Sequence, residues 1–347
     1  MNVKHLSWLS YAVPYGAAGL GAWIFMQIGF PVAPLTGAAV AVSVVCVLGA
    51  KVSIAARVRD GLLLLIGINI GSAVSPEALS AAATWPMSIA ILTLAMAFSM
   101  AFSGLGLVKW FAFDAKSAFL ATCPGHLSFI LGMAHDENLE IAPIAIAQSI
   151  RVLAITICVP LLLGKAAPQM AQDPIALSLW HLSIMVVLSF GVALGFGALR
   201  FPAPFLLAGM AISGVGHGVG VTEGQLPMPM LNICLMGMGL LIGSRFAGAR
   251  GHSLRNGLWA GLWITMINGL STGVAVVIAA AVLNVNMPLL MAAYAPGGIE
   301  AMAAISMILG LSPTFVAAHH VARLAILSVM IPLAYKFIFD RSAPRQD

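Results

Sequence analysis

Apolar runs of about twenty residues follow one another along the whole chain, and this pattern limits the fold more than any other feature. Of the 347 residues, 61% are hydrophobic and only 8% carry a formal charge. A soluble domain is roughly a quarter charged. Since about twenty apolar residues cross a bilayer as a helix, there is room for about ten to twelve spanning segments. The chain is therefore predicted to be an all-α polytopic membrane protein.

The charged residues and cysteines exclude several function classes. Lys and Arg form no run dense enough for a nucleic-acid surface, so no nucleic-acid partner is expected. The four cysteines lie in apolar segments without CxxC spacing, which favours buried free thiols over a metal site or a disulfide framework. The expected partners are the lipid bilayer and a small-molecule or ion substrate, with no cofactor and no metal.

The second half of the chain repeats the first at an offset of 172 residues. The aligned positions include Trp, Pro, Gly and Arg: Trp8 with Trp180, Pro124-Gly125 with Pro296-Gly297, and Arg151 with Arg323. We expect residues 1–165 and 173–347 to form two membrane repeats of one integrated transmembrane domain. Each repeat contains six apolar segments.

The fifth apolar segment of each half is interrupted by Pro-Gly near its middle. Pro removes a backbone donor, and the following Gly permits non-helical angles. Such a break at membrane depth is tolerated only where it is buried in protein or lines a watery cavity. Segment five is therefore either a discontinuous helix or a re-entrant hairpin. The helix that starts after each break would direct backbone N–H groups towards an anion.

The distribution of Lys and Arg favours the re-entrant alternative. If all six segments of each half cross the membrane, Arg200, Arg245, Arg250 and Arg255 fall outside. If segment five is re-entrant, the halves are inverted and Lys165 is the one loop cation outside. The prediction is two inverted-topology repeats, each of about five spanning helices plus a Pro-Gly-broken or re-entrant segment. Both termini then lie in the cytoplasm, with the protein in the bacterial inner membrane.

Glu300 is the one carboxylate well inside an apolar segment. Burying it costs roughly 2.5–3.5 kcal/mol, so it is either a coupling group for protons or cations or a partner for a buried Arg. Its counterpart in the first half is Ser128, so the two halves differ chemically. Asp136, Glu137 and Glu140, by contrast, have the pattern of solvated loop charges.

Arg151 and Arg323 lie inside segment six of each half, and two roles are open for them. The guanidinium can bind a carboxylate in a fork, or it can satisfy the carbonyls freed by the Pro-Gly break. His319 and His320 precede Arg323, and adjacent helical residues point about 100° apart. The two imidazoles are therefore poorly placed to bind one metal ion together. We expect a proton-sensitive role or a polar packing role instead.

Gly67/Gly71 and Gly239/Gly243 are pairs of small residues four apart in equivalent segments. Small residues at this spacing let helix backbones approach closely in membranes, so we expect packing contacts there. The glycine-rich apolar faces also favour a homodimer.

The residues around the second break resemble the AbrB family of bacterial membrane proteins. The matching runs are Ala295–Met302, Pro313–Ala317 and His319–Arg323, with Pro124–Ser128 and Gln148–Arg151 in the first half. A departure is His126, where the family commonly has a second Gly. The resemblance spans essentially the whole chain.

The resemblance implies little about activity, because members carry labels such as ammonia monooxygenase and regulator of gene expression. The residues do not support an oxygenase, since no His/carboxylate cluster suits copper or iron. No DNA-binding element is present either, so a regulatory effect would be indirect. The small soluble DNA-binding protein of the same name is a different protein.

These observations predict a secondary transporter of a small solute, favouring a small organic anion, and not an enzyme. The alternative is a membrane sensor or regulator without net transport, against which the short loops argue. The candidate substrate-binding residues flank the breaks, with Glu300 also the coupling candidate: Pro124, Gly125, His126, Ser128, Arg151, Pro296, Gly297, Gly298, Glu300, His320 and Arg323.

Overall fold

The computed structural model describes residues 3–52, 54–72, 85–124, 127–163, 176–199, 201, 203–249 and 251–339. Side chains of residues 3–11, 128, 129, 132, 252 and 300 are outside this description. Over the described ranges the chain is helical without a β-strand, apart from an isolated bridge between Ala176 and Gln225.

Seven helices lie in the described part of the first half: α1 (Val3–Gln27), α2 (Ala33–Val47), α3 (Ala56–Gly71), α4 (Trp85–Trp110), α5 (Ala115–Thr122), α6 (Leu127–Asp136) and α7 (Ile141–Leu163). The second half contains their counterparts: α8 (Leu179–Ala198), α9 (Pro204–Gly218), α10 (Met228–Ser244), α11 (Gly251–Leu283), α12 (Met287–Tyr294), α13 (Ile299–Ile308) and α14 (Pro313–Phe339).

The helix boundaries follow the sequence offset closely. The helices α5 and α12 begin and end 172 residues apart, and so do α6 and α13. Each fifth apolar segment is therefore two short helices separated by the Pro-Gly break. Five helices in the described ranges are long and apolar enough to cross a membrane: α4, α7, α8, α11 from Ser253, and α14. The helices α2 and α10 are apolar but shorter.

The chain divides into two compact units, and each takes equivalent parts of both halves. The first unit comprises residues 1–83, 156–248 and 298–317, and so contains α1–α3, α8–α10 and α13. The second unit comprises residues 84–155, 249–297 and 318–347. It contains α4–α6, most of α7, α11, α12 and most of α14.

Glycines bring the helix backbones of the first unit into contact. A Cβ atom on Gly71 of α3 would lie 2.6 Å from the carbonyl oxygen of Met210 on α9. On α10, a Cβ atom on Gly239 would lie 2.5 Å from the carbonyl oxygen of Leu35 on α2. The expected close packing of the small-residue pairs is confirmed, because any larger residue would push these backbones apart.

In the second unit, α4 and α11 cross near their midpoints. The Ser99 hydroxyl on α4 donates to Oδ1 of Asn268 on α11. The Ser271 hydroxyl on α11 donates to the Ala95 carbonyl on α4 over 2.9 Å. Ser99 and Ser271 are counterparts in the repeat, so the two equivalent helices bind one another through equivalent hydroxyls.

An ion pair joins the two ends of the first broken segment. Lys116 Nζ at the start of α5 lies 2.6 Å from Glu137 Oε2 just after α6. A continuous helix would separate these residues by about 30 Å, given a rise of 1.5 Å per residue. The two short helices α5 and α6 therefore fold back on each other as a hairpin. Glu137, predicted to be a solvated loop charge, is instead a partner in this closure.

Candidate functional site

The break after α12 is held by two side chains of α14. Arg323 Nη1 donates to the Ala295 carbonyl over 2.9 Å, and Nη2 donates to the Gly297 carbonyl over 2.5 Å. His320 Nε2 donates to the Ala292 carbonyl over 3.2 Å, which leaves Nδ1 to accept from Arg323 Nη2 over 3.0 Å. Both side chains are buried. They supply the donors that the interrupted helix cannot provide.

The break after α5 is held by the counterparts of those residues on α7. Arg151 Nη1 donates to the Cys123 carbonyl over 3.3 Å, and Nη2 donates to Gln148 Oε1 over 3.3 Å. Gln148 Nε2 donates to the Leu120 carbonyl over 2.9 Å. Every donor and acceptor in this set has its equivalent 172 residues later. Two roles were open for the buried arginines, namely binding a carboxylate and donating to the carbonyls freed by the breaks. The contacts seen here are those of the second role.

One cavity in the second unit is lined by residues of both breaks. Pro124 from the first break, Pro296 from the second and Arg323 all contribute to its wall. The cavity measures about 20 Å³, which is enough for about one water molecule. The other lining residues come from α4, α11 and the end of α12: Leu92, Ala95, Met96, Ser99, Asn268, Ser271, Thr272 and Tyr294.

Asn268 is the lining residue with an unused hydrogen-bonding group. It is only 5% exposed, and its Oδ1 accepts from Ser99, whereas its Nδ2 has no hydrogen-bond partner. A buried amide without a partner costs roughly 1–3 kcal/mol. Together with the Arg323 guanidinium, Asn268 makes one wall of the cavity rich in hydrogen-bond donors. Such a wall suits a ligand with acceptor oxygens.

A second polar cluster adjoins the cavity through Tyr294. His319 Nε2 lies 2.8 Å from Ser88 Oγ, and Ser88 Oγ lies 2.9 Å from the Tyr294 hydroxyl. The Tyr294 hydroxyl also donates to the Ser88 carbonyl over 2.8 Å. The rings of Trp85 and Tyr294 flank the His319 ring, with centroids 6.4 and 6.1 Å away. His319, Ser88 and Tyr294 are all buried.

Comparisons of sequence identify the family of this chain. The family model described as "Transition state regulatory protein AbrB" matches residues 34–339. The chain belongs to the AbrB family. This AbrB-family membrane protein is 24% identical over 314 residues to the uncharacterized protein YhjN of Bacillus subtilis (strain 168). The match covers 82% of this chain and 79% of YhjN. No solved structure matches the chain.

The structure brings together three of the predicted site residues of this AbrB-family chain at the cavity: Pro124, Pro296 and Arg323. Gly297, His320 and Arg151 lie in the hydrogen-bonded sets around the breaks, and Arg151 is not part of the cavity wall. Gly298 precedes α13 as its N-cap residue.

Four predicted site residues fall wholly or partly outside the described part of the chain. Gly125 and His126 lie outside it altogether. Ser128 is on α6 and Glu300 is on α13, but the positions of their side chains are outside the description. Over the described residues, no group of three or more His, Cys, Asp or Glu side chains is placed to hold a metal ion.

Sequence reasoning missed the polar wall formed by Ser99, Asn268, Ser271 and Thr272. Each is a small polar residue within an apolar helix, and such residues commonly bond to their own helix. The one available signal was the asymmetry of the repeat, because the counterpart of Asn268 is Met96. An amide in place of a thioether at equivalent positions indicates a local requirement rather than a general packing need.

Proposed function

We propose that this AbrB-family protein is a secondary transporter, and not an enzyme, that moves a small organic anion across the inner membrane. The observation that carries the proposal is the cavity shared by Pro124, Pro296 and Arg323 in the second unit. Broken helices that meet at one cavity near the middle of the membrane are typical of transporter substrate sites. Alternating access would open this site to each side in turn.

The preference for an anion is supported by the donors on the cavity wall. Arg323 carries a permanent positive charge, and Asn268 offers an amide N–H that no protein group accepts. A carboxylate oxygen would satisfy that amide while neutralising the nearby guanidinium. Because the cavity has room for only about one water molecule, the anion would enter when the surrounding helices move apart.

The proposed topology takes the hairpin of α5 and α6 to be re-entrant, which the contact between Lys116 and Glu137 supports. A fifth segment that returns to its own side leaves each half with about five crossings, and an odd number inverts the second half relative to the first. Both termini are then cytoplasmic, as the Lys and Arg distribution favours. Within this scheme Glu300 remains a coupling candidate, because an ionisable residue inside a membrane segment is a functional hypothesis by default.

A thermal-shift screen of purified protein tests the binding part of this proposal. Small mono- and dicarboxylates, amino acids, ammonium and sodium would each be added to the wild type, to Arg323→Ala and to Glu300→Gln. We expect one carboxylate class to raise the melting temperature of the wild type and of Glu300→Gln, but not of Arg323→Ala. Stabilisation by ammonium or amino acids alone would contradict the anion preference.

The alternative of a sensor without net transport predicts a different combination of results. A sensor would bind its ligand in the same screen, yet reconstituted vesicles would not move that ligand. Transport of the stabilising carboxylate into vesicles would therefore exclude the sensor.

A further inference from the structure

We infer that His319 binds the proton that drives the proposed transport, through a hydrogen-bonded chain that runs from the cavity by way of Tyr294 and Ser88. The inference rests on the proposed transport function and adds the coupling ion and its site. The three side chains are buried, and consecutive groups lie 2.8–2.9 Å apart. Tyr294 also lines the cavity, so the chain begins where a solute would sit.

The duplication of the chain provides an internal control for this assignment. The counterparts of His319, Ser88 and Tyr294 are Ala147, Ala260 and Thr122, so the first half packs the same region without a histidine. The fold therefore does not need this polar cluster. The arginines that hold the breaks are, by contrast, present in both halves.

His320 is explained by the same comparison and does not need a proton-binding role. Its counterpart Gln148 makes the equivalent bonds to a carbonyl and to an arginine. An amide can thus do in one half what the imidazole does in the other. The adjacent His319 has an alanine counterpart, so no such structural task is shared between the halves.

The hydrogen-bonded chain of Tyr294, Ser88 and His319 can form with or without a proton on His319 Nε2, and no heavy atom has to move. When Nε2 carries no hydrogen, the Ser88 hydroxyl donates to Nε2 and the Tyr294 hydroxyl donates to the Ser88 carbonyl. When Nε2 is protonated, it donates to Ser88 Oγ, Ser88 donates to the Tyr294 oxygen, and Tyr294 still donates to the carbonyl. The hydrogens of Ser88, of Tyr294 and of His319 Nε2 thus have acceptors in each state, so a proton on Nε2 is not left without a hydrogen bond.

Proton transfer along this chain balances. The Tyr294 hydroxyl first turns its hydrogen from the Ser88 carbonyl to Ser88 Oγ. A hydronium ion in the cavity then gives a proton to the Tyr294 oxygen while Tyr294 passes its own hydrogen to Ser88. Ser88 passes its hydrogen to His319 Nε2. Both hydroxyls end neutral, one water molecule is left in the cavity, and the imidazole has gained one proton and one positive charge.

Arg323 links the proton to the anion. The titratable or charged groups described around His319 are Tyr294 on α12 and, on its own helix, His320 and Arg323. The α4 residues in contact, Trp85 and Ser88, do not titrate in the physiological range. The Arg323 charge opposes a proton on His319, and an anion bound at Arg323 offsets it. Each ligand then strengthens binding of the other by the same factor.

Transport in reconstituted vesicles separates coupling from binding. The probes are ¹⁴C-labelled pyruvate and succinate, with an inward proton gradient for accumulation and unlabelled anion inside for counterflow. We expect His319→Gln to lose gradient-driven accumulation by at least about tenfold while keeping counterflow at saturating anion within about twofold of wild type. The matched variant His181→Gln changes a histidine of α8 that contacts Ser178, and it is expected to keep accumulation.

Accumulation that survives in His319→Gln would overturn the inference. Loss of both counterflow and accumulation in His319→Gln, with an unchanged melting temperature, would overturn it as well. If wild-type vesicles move neither probe, the proposed function fails for carboxylates. The proton site is still decided separately, by ¹⁵N NMR of the histidine rings in purified protein. The signal missing from His319→Gln should change between the neutral and charged forms over the pH range in which the wild type accumulates anion, and a ring that stays neutral throughout that range would refute the site.

Discussion

The contacts of Arg151 and Arg323 separate what the fold needs from what the function needs. Both guanidinium groups donate to carbonyls at a Pro-Gly break, with a glutamine or a histidine beside them in the same position. Only Arg323 also reaches the cavity wall. The shared contacts identify a structural role in both halves, and the second contact gives Arg323 an additional role.

Replacing these arginines by alanine should therefore have unequal consequences. Arg151→Ala and Arg323→Ala should both lower the melting temperature, because each carbonyl left unpaired costs about 1–3 kcal/mol. Stabilisation by a carboxylate should disappear in Arg323→Ala and persist in Arg151→Ala. Differential scanning fluorimetry with and without the anion measures both effects. An Arg151→Ala protein as stable as the wild type would contradict the structural role.

Asn268 offers a nearly isosteric test of the cavity wall. Asn268→Asp keeps an oxygen that accepts from Ser99 but removes the free N–H and adds a negative charge. We expect it to weaken carboxylate binding by at least about tenfold, equivalent to about 1.4 kcal/mol, in isothermal titration calorimetry. Thr265→Ala is the control, because Thr265 lies one turn away and bonds to its own helix at the Gly261 carbonyl. Equal affinities for both variants would refute the proposed contact.

At the scale of helices, hydropathy and Pro-Gly positions were sufficient to predict most of the secondary structure. The split of segment five into α5 and α6 could be predicted, because Pro and Gly interrupt an otherwise apolar run. The ion pair between Lys116 and Glu137 could not, since it depends on the path of the chain between residues 21 apart. The hydrogen bond from Lys116 lowers the pKa of Glu137, so this closure persists above that lowered pKa and weakens as the pH falls through it.

If the hairpin of α5 and α6 is re-entrant, as proposed, its two ends are accessible from one side of the membrane. Lys116→Cys and Glu137→Cys, made separately in a cysteine-free background, should both react with a membrane-impermeant maleimide added to the same side of oriented vesicles. Labelling of the two cysteines from opposite sides would show instead that the segment crosses the membrane.

The glycine contacts of the first unit predict a contrast within one helix. Gly71→Ala places a Cβ atom against the Met210 carbonyl and should lower the melting temperature, because backbone must move. Gly61 is also on α3 but has no atom within 4 Å of an added Cβ. Gly61→Ala should keep or raise stability by up to about 1 kcal/mol, as alanine favours a helix. Equal losses for both would contradict the packing role.

At the scale of the whole molecule, the repeat divides residues into two classes. Equivalent helices, glycine contacts and arginine contacts recur in both halves and belong to the architecture. Asn268 and His319, whose counterparts are Met96 and Ala147, do not recur and lie at or beside the cavity. This asymmetry is visible in the sequence. Small polar residues in apolar segments are common, however, so they could not be identified as site residues before the structure showed which of them line one cavity.

The central claim is that the cavity between the two breaks binds and moves an organic anion. Its most direct test is counterflow of ¹⁴C-labelled pyruvate and succinate into vesicles containing purified wild type, Asn268→Asp or Thr265→Ala. We expect saturable counterflow of at least one probe by the wild type and by Thr265→Ala, and a loss of at least about tenfold in Asn268→Asp. Wild-type vesicles no faster than protein-free vesicles, or equal transport by all three proteins, would contradict it.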